Sequence, residues 1–525
     1  MPRSAERRLP HRPLRFAGGA AAALGIGALI ATLFWAILGA ASGAPASGAG
    51  ADIPYLIYIT TLQASLSTVL SLAVGIALAW ALNRLRFVGR TLVIGLFAAA
   101  IVTPGLVVAF GLLAVWGRSG WLGGLGMPIF GLGGVVAAHL ILDGAFAARI
   151  LLARLDAIPE LRLKTGQSLR LSAWRRFAVI DWPALRSSLP GLAAIIFLLA
   201  FTSFPIVLLL GGGPAVQTLE LAIYSAVRLD FDLVLAVRLA LIQIGICAAV
   251  ILASAALTPI SSSLDPPTTP RWRDGPAAQV LQWAVLALAL AGFAAPLLAV
   301  LANGLAGLPA VLARQSFWMA TATSLAVASV SAVLALLLAL VVAAGRAATP
   351  SRALRTVLGA PAYAYLAVPA VALALGAFLF VRDLGILPES AAPAVVVSAN
   401  ALLSLPFALA TLGPPLDAIA QSRGRLIRSL GLRGTRQFVA IEWPLIARDA
   451  GLVLALGFCF SLGDLGVIAL FDTHDFVTLP LLMSRALGSY RSTDAATIAA
   501  LMLVLTLIAF ITLPALFERL SRARA

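Results

Sequence analysis

The chain alternates long apolar runs with short polar, mostly basic, intervals. Runs near the roughly 20 residues that cross a bilayer fall at about 17–41, 60–82, 91–116, 129–152, 187–210 and 234–259. A second set falls at about 278–302, 318–344, 354–380, 391–412, 449–470 and 495–516. This pattern predicts an all-α polytopic membrane protein of about twelve transmembrane helices, arranged as two tandem six-helix repeats. Residues 1–260 make the first repeat and 277–525 the second. Between them Ser261–Pro276, SSSLDPPTTPRWRDGP, carries the Ser, Pro and charge of a short linker.

Two of the polar intervals are copies of each other. Leu155–Leu185 reads LDAIPELRLKTGQSLRLSAWRRFAVIDWPAL, and Leu416–Leu445 reads LDAIAQSRGRLIRSLGLRGTRQFVAIEWPL. One ungapped offset pairs Leu155-Asp156-Ala157-Ile158 with Leu416-Asp417-Ala418-Ile419 and Ser168-Leu169 with Ser429-Leu430. It also pairs Phe177 with Phe438, Ile180 with Ile441, and Trp182-Pro183 with Trp443-Pro444. The copies lie in polar loops at 153–186 and 413–448, each between the fourth and fifth span of its repeat. Leu426, Ile427 and Leu430 recur at helical spacing while Arg423, Arg425 and Arg428 take the other side. Gly431 and Gly434 interrupt that helix, so two short helices joined by a turn are expected. Trp443-Pro444 then restarts the chain, Pro suiting a first helical turn and Trp a headgroup boundary. A basic amphipathic segment can lie on anionic lipid. Lipid binding alone does not require one register kept twice over thirty residues, whereas a partner with two equivalent docking grooves does.

Charge fixes an expected orientation. With the N-terminus inside, the inner segments hold 30 of the 37 Lys and Arg and the outer segments 7, a bias that places both copies and both termini in the cytoplasm. The net charge of +16 does not point to nucleic acid, because the basic residues sit between apolar runs instead of on a soluble domain. With 61% apolar and 11% charged residues, against about 25% charged in globular proteins, a soluble enzyme is excluded. The apolar stretch from about Phe16 to Ala41 exceeds a 7–15-residue signal core and reads as a retained span. Cys247 and Cys459 lie inside apolar runs and read as packing residues.

Several polar groups outside the copied intervals could carry chemistry. Asp464, in SLGDLG, sits at a span and is a candidate substrate-path carboxylate or a carboxylate satisfied by neighbouring groups. Asp143, six residues from Arg149, is too poorly spaced for a pair on one face and reads as a contact with another helix. Tyr224, Tyr490 and Trp121 can stack on an aromatic cation or form an interfacial belt. Glu220, Asp230, Asp232 and Asp494 fall in outer loops, as does Asp472/His474/Asp475, which reads as solvated docking surface over metal site. No Gly-Lys-Ser/Thr phosphate loop and no nucleophile–base set occurs.

The copied interval resembles the cytoplasmic loop of ABC-importer permeases: Glu-Ala-Ala, three residues, Gly, nine residues, Ile, one residue, Leu-Pro. Gly431, Ile441 and Pro444 match in the second copy, with Trp443 for Leu. Ile180 and Pro183 match in the first, where Arg170 stands for Gly. Lys164-Thr165-Gly166 and Arg425-Leu426-Ile427 occupy the acidic triplet. Phe201–Gln243 and Ser461–Ala495 resemble most closely the fused thiamine and thiamine-pyrophosphate permeases of that class. The resemblance implies a non-enzymatic permease importing thiamine and its phosphate esters across an inner membrane. ATP and Mg would bind two copies of a separate cytoplasmic ATPase, and a periplasmic binding protein would deliver the substrate. It assigns docking to Ser168, Leu169, Arg170, Phe177, Ile180, Pro183, Ser429, Leu430, Gly431, Phe438, Ile441 and Pro444. The alternatives are ferric iron or another small cation as cargo, or an ion-driven carrier, against which the short linker and long internal loops count.

Overall fold

A computed structural model describes residues 13–42, 52–213, 216–255, 272–473 and 476–522, all helical or turn between helices. The Arg-rich residues 1–12, residues 261–271 of the linker, and His474 and Asp475 lie outside them. The first repeat comprises α1 (Pro13–Ser42), α2 (Ile53–Arg84), α3 (Arg90–Ala99), α4 (Gly105–Trp116) and α5 (Leu132–Asp156). It continues with α6 (Glu160–Ser168), α7 (Ala173–Arg176), α8 (Trp182–Arg186), α9 (Leu189–Phe201), α10 (Phe204–Leu210), α11 (Leu219–Arg228) and α12 (Leu233–Ala255). The second comprises α13 (Pro276–Ala306), α14 (Leu308–Leu312), α15 (Gln315–Ala347), α16 (Arg352–Ala364), α17 (Ala370–Asp383) and α18 (Pro388–Ser422). It ends with α19 (Gly424–Ser429), α20 (Gly434–Gln437), α21 (Trp443–Leu462), α22 (Leu479–Gly488) and α23 (Ser492–Arg522).

Among the described residues nine helices are long and apolar enough to cross a membrane, or twelve if each of three bent pairs is one span. The run expected at 91–116 turns through 113° between α3 and α4, and that at 354–380 through 100° between α16 and α17. Both bends fall at an X-Pro pair, Thr103-Pro104 and Val368-Pro369, where the residue before proline is extended, with ψ 123° and 107°. Proline lacks the N–H to continue a helix and pushes its predecessor out of the helical region. The same break in both repeats is a structural trace of the duplication.

Contacts sort the helices into two compact units. One contains α1, all but the start of α15, α16–α21 and the C-terminal part of α23; the other contains α2–α14, α22 and the start of α23. Each repeat's first helix thus belongs to the unit built mainly from the other repeat. In the first unit α1 approaches α15 and α17 through small residues: a Cβ on Gly19 would stand 2.7 Å from Gly345 Cα, and one on Gly376 3.2 Å from Leu33. In the second, a Cβ on Gly75 of α2 would stand 2.5 Å from the Ala147 Cβ of α5, and one on Gly111 of α4 2.7 Å from the Pro296 carbonyl of α13. Small residues allow such close approach where no aqueous hydrophobic effect drives helices together.

Candidate functional site

From the end of α6 and α19 through the π-turn the two copied intervals fold alike at an offset of 261, although α5 stops at Asp156 where α18 runs on to Ser422. The first helix of each ends in a left-handed residue, Arg170 at φ 49° and Gly431 at φ 62°. The next amide reaches back over the turn, Leu171 N–H to Gly166 C=O at 3.3 Å and Leu432 N–H to Ile427 C=O at 3.1 Å. This is the Schellman closure that satisfies the last carbonyls of a helix. Arg170, the departure from the family pattern, therefore keeps the turn and bears the cost of a Cβ in the left-handed region, about 1–2 kcal/mol. Ser168 and Ser429 mirror each other too, donating to the carbonyls of Thr165 at 2.8 Å and Leu426 at 2.9 Å.

A short helix follows in each copy and widens into a π-turn, Phe177–Asp181 and Phe438–Glu442. Its signature is Trp182 N–H bonded to the Phe177 carbonyl and Trp443 N–H to the Phe438 carbonyl, five residues back. The next residue is proline in both, Pro183 and Pro444. Widening the turn spares the proline ring its clash with the carbonyl four residues back. The ring of Phe177 meets Trp182 at 6.2 Å, and that of Phe438 meets Trp443 at 5.8 Å.

Exposure divides the candidate docking residues. Ser168, Leu169, Arg170, Ser429, Leu430 and Gly431 are exposed at the turn, with Leu169 66% and Leu430 58% accessible. Phe177, Phe438 and Ile441 are half-buried, and Ile180 is buried against Gly166, whose missing Cβ would stand 2.6 Å from Ile180 Cδ1. Pro183 is half-buried and Pro444 exposed at the head of the following helix. The turn residues form a free surface, whereas the aromatic and isoleucine positions build the element. In the second copy Leu432, Thr435, Arg436, Val439 and Ala440 line an open groove. The residue matching Thr435 is Trp174, whose ring stacks on Phe177 at 6.1 Å.

Each element is tied down at both ends. At its start Asp156 accepts from Asn83 at 2.7 Å, and Asp417 lies 4.0 Å from Arg355. At its far end the carboxylate before Trp-Pro is engaged, and here the copies diverge. Arg84 Nη2 lies 2.6 and 2.7 Å from the two oxygens of Asp181. Arg176 lies 3.6 Å from Asp181 and grips Asp274 at 2.6 and 2.8 Å, with Trp272 stacked 4.7 Å from its guanidinium. Gln282 adds a 2.7 Å bond to Asp274. The four charges sum to zero and all are buried. In the second copy Glu442 meets Arg15 of α1 at 2.7 Å and also accepts from Gln437, the counterpart of Arg176. Sequence reading missed both anchors because the partners stand about one hundred to four hundred residues apart.

The candidate path residues stand in different local settings. Asp464 Oδ1 accepts from Val467 N–H at 3.2 Å and caps the turn after α21, while its Oδ2 is buried without a hydrogen-bond partner. Tyr224 packs on Phe204 at 5.2 Å. Tyr490 stands 96% exposed in a left-handed turn at φ 58°. The outer-loop carboxylates also divide, since Glu220 is fully buried and Asp494 is buried with Arg314 at 2.5 Å. Among the described residues no group of three or more His, Cys, Asp or Glu side chains could hold a metal ion.

A duplicated, helical, membrane-spanning chain with a matched pair of helix–turn–helix elements has the architecture of an ABC-importer permease. No family model matches the chain. It is 37% identical over 462 residues to the thiamine transport system permease protein ThiP of Brucella melitensis biotype 1, covering 85% of each chain. It is likewise 37% identical over 478 residues to ThiP of Escherichia coli K12, covering 87% of this chain and 88% of that protein. A shorter match, 31% identical over 173 residues, links 32% of the chain to 76% of the molybdenum transport system permease protein ModB of Azotobacter vinelandii. The chain belongs to the family of thiamine transport system permease proteins.

Proposed function

We propose that this chain is the membrane permease of an ABC importer that carries thiamine and its phosphate esters across the bacterial inner membrane. Two copies of a cytoplasmic ATPase dock on the elements at Leu155–Leu185 and Leu416–Leu445, and a periplasmic binding protein delivers the substrate. Both termini lie in the cytoplasm, in keeping with the 30-to-7 distribution of Lys and Arg. The observation that carries this reading is the pair of elements, equal in turn, π-turn and exposed tip at one offset, as two equal ATPase subunits require. The cargo rests on similarity to thiamine permeases along most of the chain.

In mechanism, a rigid element held at both ends transmits movement better than a loose loop. The Schellman turn and π-turn fix each tip against the helix that follows Trp-Pro, so displacement of Leu169 or Leu430 moves α8–α9 or α21 as a body. Reconstitution in proteoliposomes with the ATPase and binding protein tests this. Labelled thiamine is expected to accumulate only with ATP and both partners. Accumulation without ATP, or iron-driven instead of thiamine-driven ATPase stimulation, would contradict it.

A further inference from the structure

One seam inside the second compact unit has polar groups that packing does not explain. On α2, Gln63, Ser67 and Ser71 recur every four residues and face α5, where His139 and Asp143 stand one turn apart. His139 Nδ1 lies 2.9 Å from Gln63 Nε2 and 3.2 Å from Ser67 Oγ. With the amide donating, the imidazole proton sits on Nε2, which meets no acceptor. Gln63 Oε1, Ser71 Oγ and Asp143 Oδ2 are also without partners. All five side chains are more than nine-tenths buried. An unpaired buried polar group is costly, more so a charged one, and ionisable groups within spans mark functional paths.

The second repeat supplies an internal control. At the offset of 261 that superposes the basic elements, His139 corresponds to Asn400 and Asp143 to Ser404. Both counterparts are satisfied: Asn400 donates to Ser461 Oγ at 3.0 Å, and Ser404 donates to the Asn400 carbonyl at 2.8 Å. The fold therefore accepts a small, fully paired polar set at this register. At these two register positions only the first repeat has an imidazole and a carboxylate, each with an orphaned atom.

We propose that Gln63, His139 and Asp143 form a substrate subsite for a hydrogen-bonding heteroaromatic ring, the aminopyrimidine end of thiamine. This deepens the thiamine reading and rests on it. An aminopyrimidine offers an exocyclic N–H donor beside ring-nitrogen acceptors, on one flat face. Asp143 Oδ2 and Gln63 Oε1 accept the two N–H bonds of the amine, while His139 Nε2–H donates to a ring nitrogen. The thiazolium cation has no N–H donor and would leave these atoms unpaired. Because the five side chains are buried here, the ring reaches them in a conformation in which the α2–α5 seam opens to the path. Asp143, expected from sequence to contact another helix, faces α2 without an ion-pair partner.

The test exchanges the seam for the set that the second repeat carries. H139N/D143S and the subtler D143N are reconstituted with wild-type ATPase and binding protein. Uptake of thiamine is compared with that of its analogue bearing oxygen in place of the amino group. We expect kcat/KM for thiamine to fall at least tenfold in H139N/D143S. Selectivity for thiamine over the oxo analogue should drop several-fold in both variants, while ATPase stimulation by loaded binding protein stays within twofold. Unchanged uptake and selectivity in the variants, beside normal wild-type uptake, would overturn the subsite alone. Wild-type vesicles that take up no thiamine would overturn the thiamine reading and this assignment with it.

Discussion

In the first basic element the carboxylate before Trp-Pro, Asp181, is fully buried beside two buried guanidinium groups; in the second, Glu442 meets Arg15, which is 22% exposed. The backbones are the same through the turn and the π-turn, so the difference lies in how each copy is held. Asp274 and Trp272, which complete the first anchor, lie just before α13, the opening helix of the second repeat. Arg15, which completes the second, belongs to α1, the opening helix of the first. Each element is thus locked by residues at or near the first helix of the opposite repeat, once by a dry four-charge network and once by a wetter pair. A second contrast follows them: the helical segment ending in α8 meets α9 at 59° across Ser187-Ser188, with Pro190 in the first turn of α9, whereas α21 runs unbroken from Trp443 to Leu462. Two equal tips are carried on one bent lever and one unbroken lever.

The largest way to break this comparison is to remove each anchoring carboxylate. Asp181→Ala leaves Arg84 and Arg176 buried with only Asp274 to balance them, and removing one partner of a buried pair costs about 3–5 kcal/mol. Glu442→Ala leaves a partly solvated Arg15, for which about 1 kcal/mol is expected. Thermal unfolding in detergent should show a far larger loss for Asp181→Ala. Equal losses would mean that the two anchors do not differ in kind.

A smaller, sharper test concerns the turn. Gly431→Arg places a side chain at φ 62° and should destabilise by about 1 kcal/mol, and Arg170→Gly should relieve a cost of similar size. Amide exchange at Leu171 and Leu432, whose N–H groups close the two turns, would read these as opposite shifts. Shifts of the same sign would mean that the turns are not equivalent.

Part of this was legible in the sequence. The ungapped offset, the glycine at the helix end and the Trp-Pro restart announced two helices and a turn, because those features are local. The π-turn was not legible, since its five-residue closure has no hydrophobic period of its own. It also shifts the helical face by about one residue, and Phe177, Ile180, Phe438 and Ile441, assigned to docking by resemblance, pack inward to differing degrees. The bends at Pro104 and Pro369 were hidden inside apolar runs of spanning length. Asp181, Arg176, Arg84 and Asp274 form a network only in three dimensions, and Gln63 with His139 gave no local signal at all. Local chemistry was readable, and the long-range pairing of charges was not.

The central claim is that the exposed turns pass ATPase movement to the spans. Replacing Ser168-Leu169 and Ser429-Leu430 together by Gly-Ser leaves both anchors and the π-turns in place. The most direct measurement is the number of thiamine molecules imported per ATP hydrolysed in proteoliposomes. This ratio should fall at least tenfold while the permease stays folded and inserted. An unchanged ratio at normal uptake would contradict the account.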